Sequence, residues 1–420
     1  MKVTLIAPYY HNIWEPLWAG YIISYCKKNY KRDLAFDFFH ANFEPIQSPM
    51  ADTIASESDI VGISCTTPTY KEAISISKLL KTLNKKIHIV LGGWHPTITK
   101  EIESDYIDQI VVGEGEAAFL EILNGNRDKI VYGSKLTFNK LPWPDRDVIK
   151  YGKHIDWCEK EFGERIATVQ SVRGCKMSCA MCGERCMTGK YNKKTNPLRL
   201  RLPKDTLDEI DFLRDRYNIN RFKFVDPTWS VDDTYVSNFC YEKIRRGNYL
   251  PWDANVHAGI VTEFGIKMMS KANCDVIAVG CESGSQRILN DIKKGITVDK
   301  IRKVFEWGKK YGLKRRAFFM LGMPNEDLED IWSTVKLVKE IEPDMFGMTL
   351  LCPYPGSEMY DEVEYKNVDW SVVDEYSNDI WRNKRFTNEE LKLIQRGICG
   401  IFKKKLPWHQ LYFLEKDENW

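Results

Sequence analysis

The sequence predicts an α/β protein: a doubly wound parallel-sheet domain, then a partial α/β barrel, then a small helical C-terminal extension. Three observations predict it. Short apolar runs alternate with amphipathic stretches from the first residue to about residue 125, the series stops at a proline-broken connector, and a second such series begins near residue 166. With 420 residues the chain exceeds one ordinary hydrophobic core, so two domains are the natural expectation.

In the first series, assigned to residues 1–135, Val3–Ala7, Asp59–Ser64, Ile87–Leu91 and Gln109–Val112 read as strands. Their continuous apolar character fits strands buried on both faces, and Ile74, Leu79, Leu80 and Leu83 fall near helical spacing between the second and third. Each run ends in turn chemistry: Pro8, then Ser64, Thr66 and Thr67, then Gly92, Gly93 and His95, then Gly113, Glu114, Gly115 and Glu116. Open parallel sheets bind ligands outside the carboxyl ends of their strands. An edge of glycines and small hydroxyl residues there suits a large, flat, phosphate-bearing cofactor.

Residues 136–165 read as a linker, because Leu141-Pro142-Trp143-Pro144-Asp145 continues neither a helix nor a central strand. The second series, residues 166–360, offers strands at Ala167–Val172, Arg221–Val225, Val276–Gly280, Ala317–Leu321 and Phe346–Leu351, separated by helical segments. Repeated strand-helix units of this length suggest a full or partial α/β barrel with its chemistry at the strand ends. In the extension, residues 361–420, Thr387 and Glu390 form a capping box for a helix with the apolar stripe Leu391, Ile394, Ile398, Ile401 and Phe402, expected to pack on the barrel. The aromatics Trp370, Tyr376, Trp381, Phe386 and Trp408 read as packing residues.

Composition narrows the function classes. The 61 basic and 59 acidic residues give no broad cationic field for nucleic acid. No apolar run approaches membrane-spanning length, and the first residues lack the pattern of a secretory signal, so a cytoplasmic location is expected. In that reducing compartment, clustered cysteines mean metal or catalysis more often than disulfides.

The segment SVRGCKMSCAMC places Cys175, Cys179 and Cys182 directly after an expected strand in CxxxCxxC spacing. Three thiolates can ligate three irons of a 4Fe-4S cluster and leave the fourth iron open. An open iron can chelate the amino and carboxylate groups of S-adenosylmethionine, whose reductive cleavage gives a 5′-deoxyadenosyl radical. The competing reading is a zinc site closed by Cys186, since four thiolates satisfy a tetrahedron. Zinc ribbons pair two separated CxxC knuckles, and the sequence has no second knuckle.

Together with the cysteines, the segments CDVIAVGCESGSQRILNDIKKGIT, FFMLGMPNED and LLCPYPGSEMY make roughly residues 166–360 resemble the radical S-adenosylmethionine superfamily. Their order and spacing are similar to the members with an N-terminal cobalamin-binding domain, of the kind that includes class B methyltransferases. The resemblance implies a Rossmann-like cobalamin-binding domain followed by a partial (β/α)6 TIM-like barrel. It implies that Glu282 and Ser283, at the end of the fourth barrel strand, face the ribose of S-adenosylmethionine. Asp226 would meet the methionine ammonium, and Gly322 and Pro324 would shape the adenine pocket. Met181 stands where the family usually has an aromatic touching adenine, and His257 where relatives commonly carry an arginine.

By the same resemblance, the glycine- and hydroxyl-lined edge of the first domain would carry cobalamin. That domain lacks the DxHxxG motif that supplies a histidine to cobalt, and His95, the nearest alternative, reads as a loop hydrogen-bonding residue. The activity implied is methylation of an unreactive carbon on a protein or peptide residue or a small metabolite, with an electron donor such as flavodoxin or ferredoxin. Ring formation or oxidation by the same cofactors is the second enzyme reading. A corrinoid-binding module with a structural metal centre is the reading of another class.

Overall fold

Six parallel strands, β1 (Lys2–Ala7), β2 (Ala35–His40), β3 (Ile60–Ser64), β4 (His88–Gly92), β5 (Gln109–Val112) and β6 (Ile130–Tyr132), form the first sheet in the order β2-β1-β3-β4-β5-β6. This computed structural model describes the chain apart from residues 11–12, 14, 101, 103–104, 189–197, 362–363, 366, 374–377, 379, 381–382 and 406–420, and the side chains of residues 188 and 404. Tyr376, Trp381 and Trp408 therefore lie outside the described residues. The chain divides into two units: Met1–Gly163 with Gly183–Gly189 and Asp369–Val372, and Glu164–Cys182 with Lys190–Val368 and Val373–Trp420.

In the first unit the chain runs from β1 outward to β2, then crosses back to place β3 on the other side of β1. That reversal is the switch point of a doubly wound sheet. Helices Leu17–Asn29 and Gly115–Leu123 pack together, as do Met50–Glu57 and Tyr70–Leu83, whose Ala51, Ile54, Ile76 and Leu80 share a core with Ile6, Val61, Ile63 and Ile89. The strands β2 and β6, which the apolar runs did not announce, sit at the edges. An edge strand covered on one face buries alternate residues, here Phe36, Phe38 and His40, so no continuous apolar run marks it. The residues expected as a linker are folded into this unit. They form the helix Tyr151–Phe162, and Arg146 pairs with Glu15 at 3.1 Å with both side chains buried.

The second unit holds β7 (Ile166–Val169), a short antiparallel pair β8 (Val172–Arg173) and β9 (Arg199–Leu200), then β10 (Arg221–Phe224), β11 (Trp252–Val256), β12 (Cys274–Glu282), β13 (Lys314–Leu321) and β14 (Met345–Leu350). Six of them make a parallel sheet in the order β14-β13-β12-β11-β10-β7, so each strand lies beside its neighbour in sequence and β7 and β14 are its ends. This is the open barrel of six strands. The run read as one strand over Ala167–Val172 is broken at Gln170-Ser171, for a reason given below. The strand β11 was not foreseen because Asp253 and Asn255 interrupt its apolar residues.

Helices follow β10, β11, β12 and β13, and Asp232, Thr262, Ser285, Thr297 and Asp327 cap them with side-chain oxygens accepting backbone N–H bonds. Helix Asn388–Ile401 carries the expected capping box of Thr387 and Glu390. It packs on β14: Gln395 Nε2 donates to Met348 O at 2.9 Å, and Leu391, Ile398 and Phe402 are buried, whereas Ile401 is exposed. Among the described residues, no helix is long and apolar enough to cross a membrane.

Candidate active site

The cysteine loop leaves the barrel through Ser171, which is wholly buried. Its backbone N–H donates to Asp226 Oδ1 at 2.9 Å and its hydroxyl to Asp226 Oδ2 at 2.7 Å, while its carbonyl accepts from the Arg201 N–H at 2.9 Å and the Tyr235 hydroxyl at 3.4 Å. These bonds take the chain out of the β7 ladder and start β8. Asp226 has no exposed surface, and burial pushes its carboxyl up to about 7 against the Ser171 and Val172 donors. The carboxylate that the resemblance turns toward an ammonium is thus engaged with the root of the loop. Nothing in a lone serine before the cysteines marks Ser171 in the sequence.

Along the loop, Cys175 is half-buried, Cys179 buried and Cys182 exposed. The Met177 N–H donates to Cys175 Sγ at 3.4 Å, and Cys182 N–H to Cys179 O at 3.2 Å. The loop is fastened at Ala180, whose N–H donates to Ile292 O at 2.9 Å and whose carbonyl accepts from Glu358 N–H at 2.8 Å. Burial pushes the Cys179 thiol up to about 11, and the Lys294 ammonium opposes it. Met181 lies half-buried between the last two cysteines. Among the described residues no three His, Cys, Asp or Glu side chains converge as the ligands of one metal ion. A cluster asks for something else, one thiolate on each of three irons. Cys186 is exposed on the short helix Glu184–Thr188.

At the carboxyl end of β12, Glu282 adopts φ +62° after a shift of register between Gly280 and Glu282. Its Oε1 accepts from Lys294 Nζ at 2.6 Å in a buried ion pair. Ser283 is wholly buried and its hydroxyl faces Thr334 Oγ1 at 3.3 Å and accepts the Ser285 N–H at 3.1 Å, so it shapes the turn beneath Glu282. At the end of the neighbouring β11, His257 is buried, its Nδ1 accepts the Gly259 N–H at 3.1 Å, and burial with the Lys294 charge holds its imidazole down at about 4. After β13, Gly322 takes φ +90° and donates its N–H to Glu326 Oε2 at 2.7 Å, beside the half-buried Pro324. Burial pushes the Glu326 carboxyl up to about 8. Sequence reasoning passed over Lys294 and Glu326, whose roles depend on which residue of a charged run turns inward.

In the first unit, the singled-out residues lie at the carboxyl ends of β1, β3, β4 and β5, all on one edge of the sheet. Ser64, Gly92, Gly93, Gly113 and Gly115 are half-buried and Thr66 exposed, whereas Pro8, Thr67, His95, Glu114 and Glu116 are buried. Gly93 has φ +100°, and a Cβ there would stand 2.5 Å from Cys65 O, so only glycine lets these loops meet. His95 lies over Tyr70 with ring centroids 4.0 Å apart and Nδ1 3.4 Å from Thr67 Oγ1, which is the loop role expected of it.

The B12 binding domain family matches residues 3–123 and the radical SAM superfamily matches residues 169–338. The chain belongs to the cobalamin-dependent radical S-adenosylmethionine superfamily. It is 27% identical over 377 residues to an uncharacterized methyltransferase of Pyrococcus horikoshii, covering 82% of this chain and 79% of the relative. It is 24% identical over 400 residues to the anaerobic magnesium-protoporphyrin IX monomethyl ester cyclase of Rubrivivax gelatinosus, covering 86% and 70%. The fold is similar to that of TsrM from Kitasatospora setae, a radical S-adenosylmethionine methyltransferase solved with cobalamin and a 4Fe-4S cluster, with TM-score 0.71, 14% identity, and 94% and 81% of the two chains covered.

This cobalamin-dependent radical S-adenosylmethionine enzyme thus works with a 4Fe-4S cluster, S-adenosylmethionine and cobalamin. Its residues fit those groups. One edge of the first sheet offers an open line of small residues, and the cysteine loop carries thiols of graded exposure beside a buried lysine.

Proposed function

We propose that the chain is a cobalamin-dependent radical S-adenosylmethionine C-methyltransferase acting on an unactivated carbon of a protein or peptide residue or a small metabolite. The observation that carries it is the joining, in one chain, of a B12-binding match to a CxxxCxxC loop rooted at the carboxyl end of an open barrel. When bound, the cluster with S-adenosylmethionine supplies a carbon radical and the corrinoid supplies a methyl group.

The chain's own residues hold and orient these groups. Cys175, Cys179 and Cys182 would hold the cluster, with Asp226 and Ser171 fixing the loop at its root. Glu282 would accept from the ribose hydroxyls, Met181, Gly322 and Pro324 would border the adenine, and Ser283 would support Glu282 through its turn. In the first unit, Ser64, Thr66, Gly92, Gly93, Gly113 and Gly115 would line the corrinoid, with Pro8, Thr67, His95, Glu114 and Glu116 packed behind them. Positioning reactants accounts for much of what a protein adds to cofactor chemistry. A cytoplasmic location and a flavodoxin- or ferredoxin-type electron donor complete the reading.

A second reading, ring formation without methyl transfer, is favoured by the relative named as a cyclase. Anaerobic reconstitution with iron, sulfide and hydroxocobalamin, then reduction with S-adenosylmethionine, separates them. Formation of 5′-deoxyadenosine together with S-adenosylhomocysteine supports methylation, 5′-deoxyadenosine alone supports the second reading, and neither product removes both.

A further inference from the structure

Lys294 has no part in the reading above, yet it is a deeply buried cation, 7% exposed, whereas its neighbour Lys293 pairs with Glu358 at the surface. Its ammonium and the Glu282 carboxylate lie together over Gly280, where a Cβ would stand 2.9 Å from Lys294 Nζ and 2.7 Å from Glu282 Oε1. Glycine is therefore what leaves room for the pair. Glu282 reaches it through a left-handed backbone, φ +62°, a conformation that persists only where the surroundings hold it.

The turn that carries Lys294 is tied to the cysteine loop. Ile292 accepts the Ala180 N–H at 2.9 Å, and Met177 Sδ lies 3.6 Å from the position of a Cβ on Gly295. The ion pair is thus lodged on a turn bonded to the residue after Cys179, the most buried of the three cysteines.

We propose that Lys294 is a positioning residue whose buried positive charge, held by Glu282 beside Cys179, sets the reduction potential of the cluster. The inference rests on the reading that Cys175, Cys179 and Cys182 hold a 4Fe-4S cluster. In the step concerned, the oxidised cluster takes one electron from an external one-electron donor, and no bond is made or broken. The added negative charge is stabilised by a fixed cation in a low-dielectric setting and opposed by a fixed carboxylate. Their balance sets how readily the cluster accepts the electron.

The test is an anaerobic dithionite titration of the reconstituted full chain, without S-adenosylmethionine, followed by electron paramagnetic resonance. Iron and sulfide are counted first. In Lys294→Met, the ratio of reduced to oxidised cluster at the wild-type midpoint falls about tenfold, ~59 mV for a one-electron couple. Lys294→Arg keeps the wild-type midpoint, and Glu282→Gln, which leaves the ammonium without its counter-charge, moves the midpoint upward. If Lys294→Met takes up no cluster, Glu282→Gln decides, an upward shift supporting the proposal and an unmoved midpoint overturning it. Iron-loaded variants that all share the wild-type midpoint overturn this proposal alone, whereas a wild type that takes up no iron overturns the cluster reading beneath it.

Discussion

Asp226 grips Ser171 with both carboxylate oxygens, one on its backbone N–H at 2.9 Å and the other on its hydroxyl at 2.7 Å, four residues before Cys175. Removing the carboxylate leaves a buried N–H without an acceptor, which costs about 1–3 kcal/mol. Asp226→Ala and Ser171→Ala are therefore each expected to lower stability against denaturant and the iron retained per chain. Because the two residues act as one unit, the double variant should be little worse than Asp226→Ala alone. Fully additive losses contradict the pairing.

Replacing Cys179 by Ala removes the buried cysteine of the loop while leaving the first unit untouched. The expected result is loss of 5′-deoxyadenosine formation with hydroxocobalamin binding retained, followed by product analysis and corrinoid absorbance. Continued radical cleavage in Cys179→Ala would show that the cluster ligands lie elsewhere.

Gly93→Ala places a Cβ 2.5 Å from Cys65 O on a backbone at φ +100°. Left-handed strain and the clash together cost roughly 2–4 kcal/mol. Thermal unfolding of the variant should show that loss, and corrinoid affinity should fall with it, whereas the iron content of the second unit should not. A variant with wild-type corrinoid affinity would remove Gly93 from the proposed edge.

His95 gives the first unit a pH dependence. Burial holds its imidazole down at about 4 in the folded chain, against 6.5 for an ordinary histidine. Between those values the unfolded chain binds a proton that the folded chain does not. Stability therefore falls as pH drops from about 6.5 to about 4, and His95 contributes no slope above that window. His95→Gln should shrink the acid loss by up to about 3 kcal/mol. Asp226, raised to about 7 by burial, acts in the opposite direction, its contribution present at low pH and lost as pH rises toward 7. Comparing denaturant midpoints of wild type and variant at pH 4.5 and 7 isolates the His95 part, and parallel profiles would contradict it.

What the sequence made legible follows from burial. The central strands β3, β4 and β5 are covered on both faces and read as apolar runs, whereas Asp37 interrupts β2 and Asp253 and Asn255 interrupt β11. The cysteine trio was visible because its spacing is itself the chemistry, and Glu282 because a motif frames it. Its partner was not, since nothing in the run Lys293-Lys294 tells which side chain turns in. Ser171 was hidden for a related reason: the expected strand Ala167–Val172 reads on through it, and only Asp226, 55 residues further along, breaks the strand there.

On the proposed reading, Cys175, Cys179 and Cys182 hold three irons and leave a fourth open to S-adenosylmethionine. Metal and sulfide analysis of chain purified without oxygen tests it directly, together with the electron paramagnetic resonance of the reduced protein before and after S-adenosylmethionine is added. The expected result is close to four irons and four sulfides per chain, unchanged in Cys186→Ala, and a signal that shifts when S-adenosylmethionine binds. Zinc in place of iron, lost when Cys186 is replaced, would contradict it.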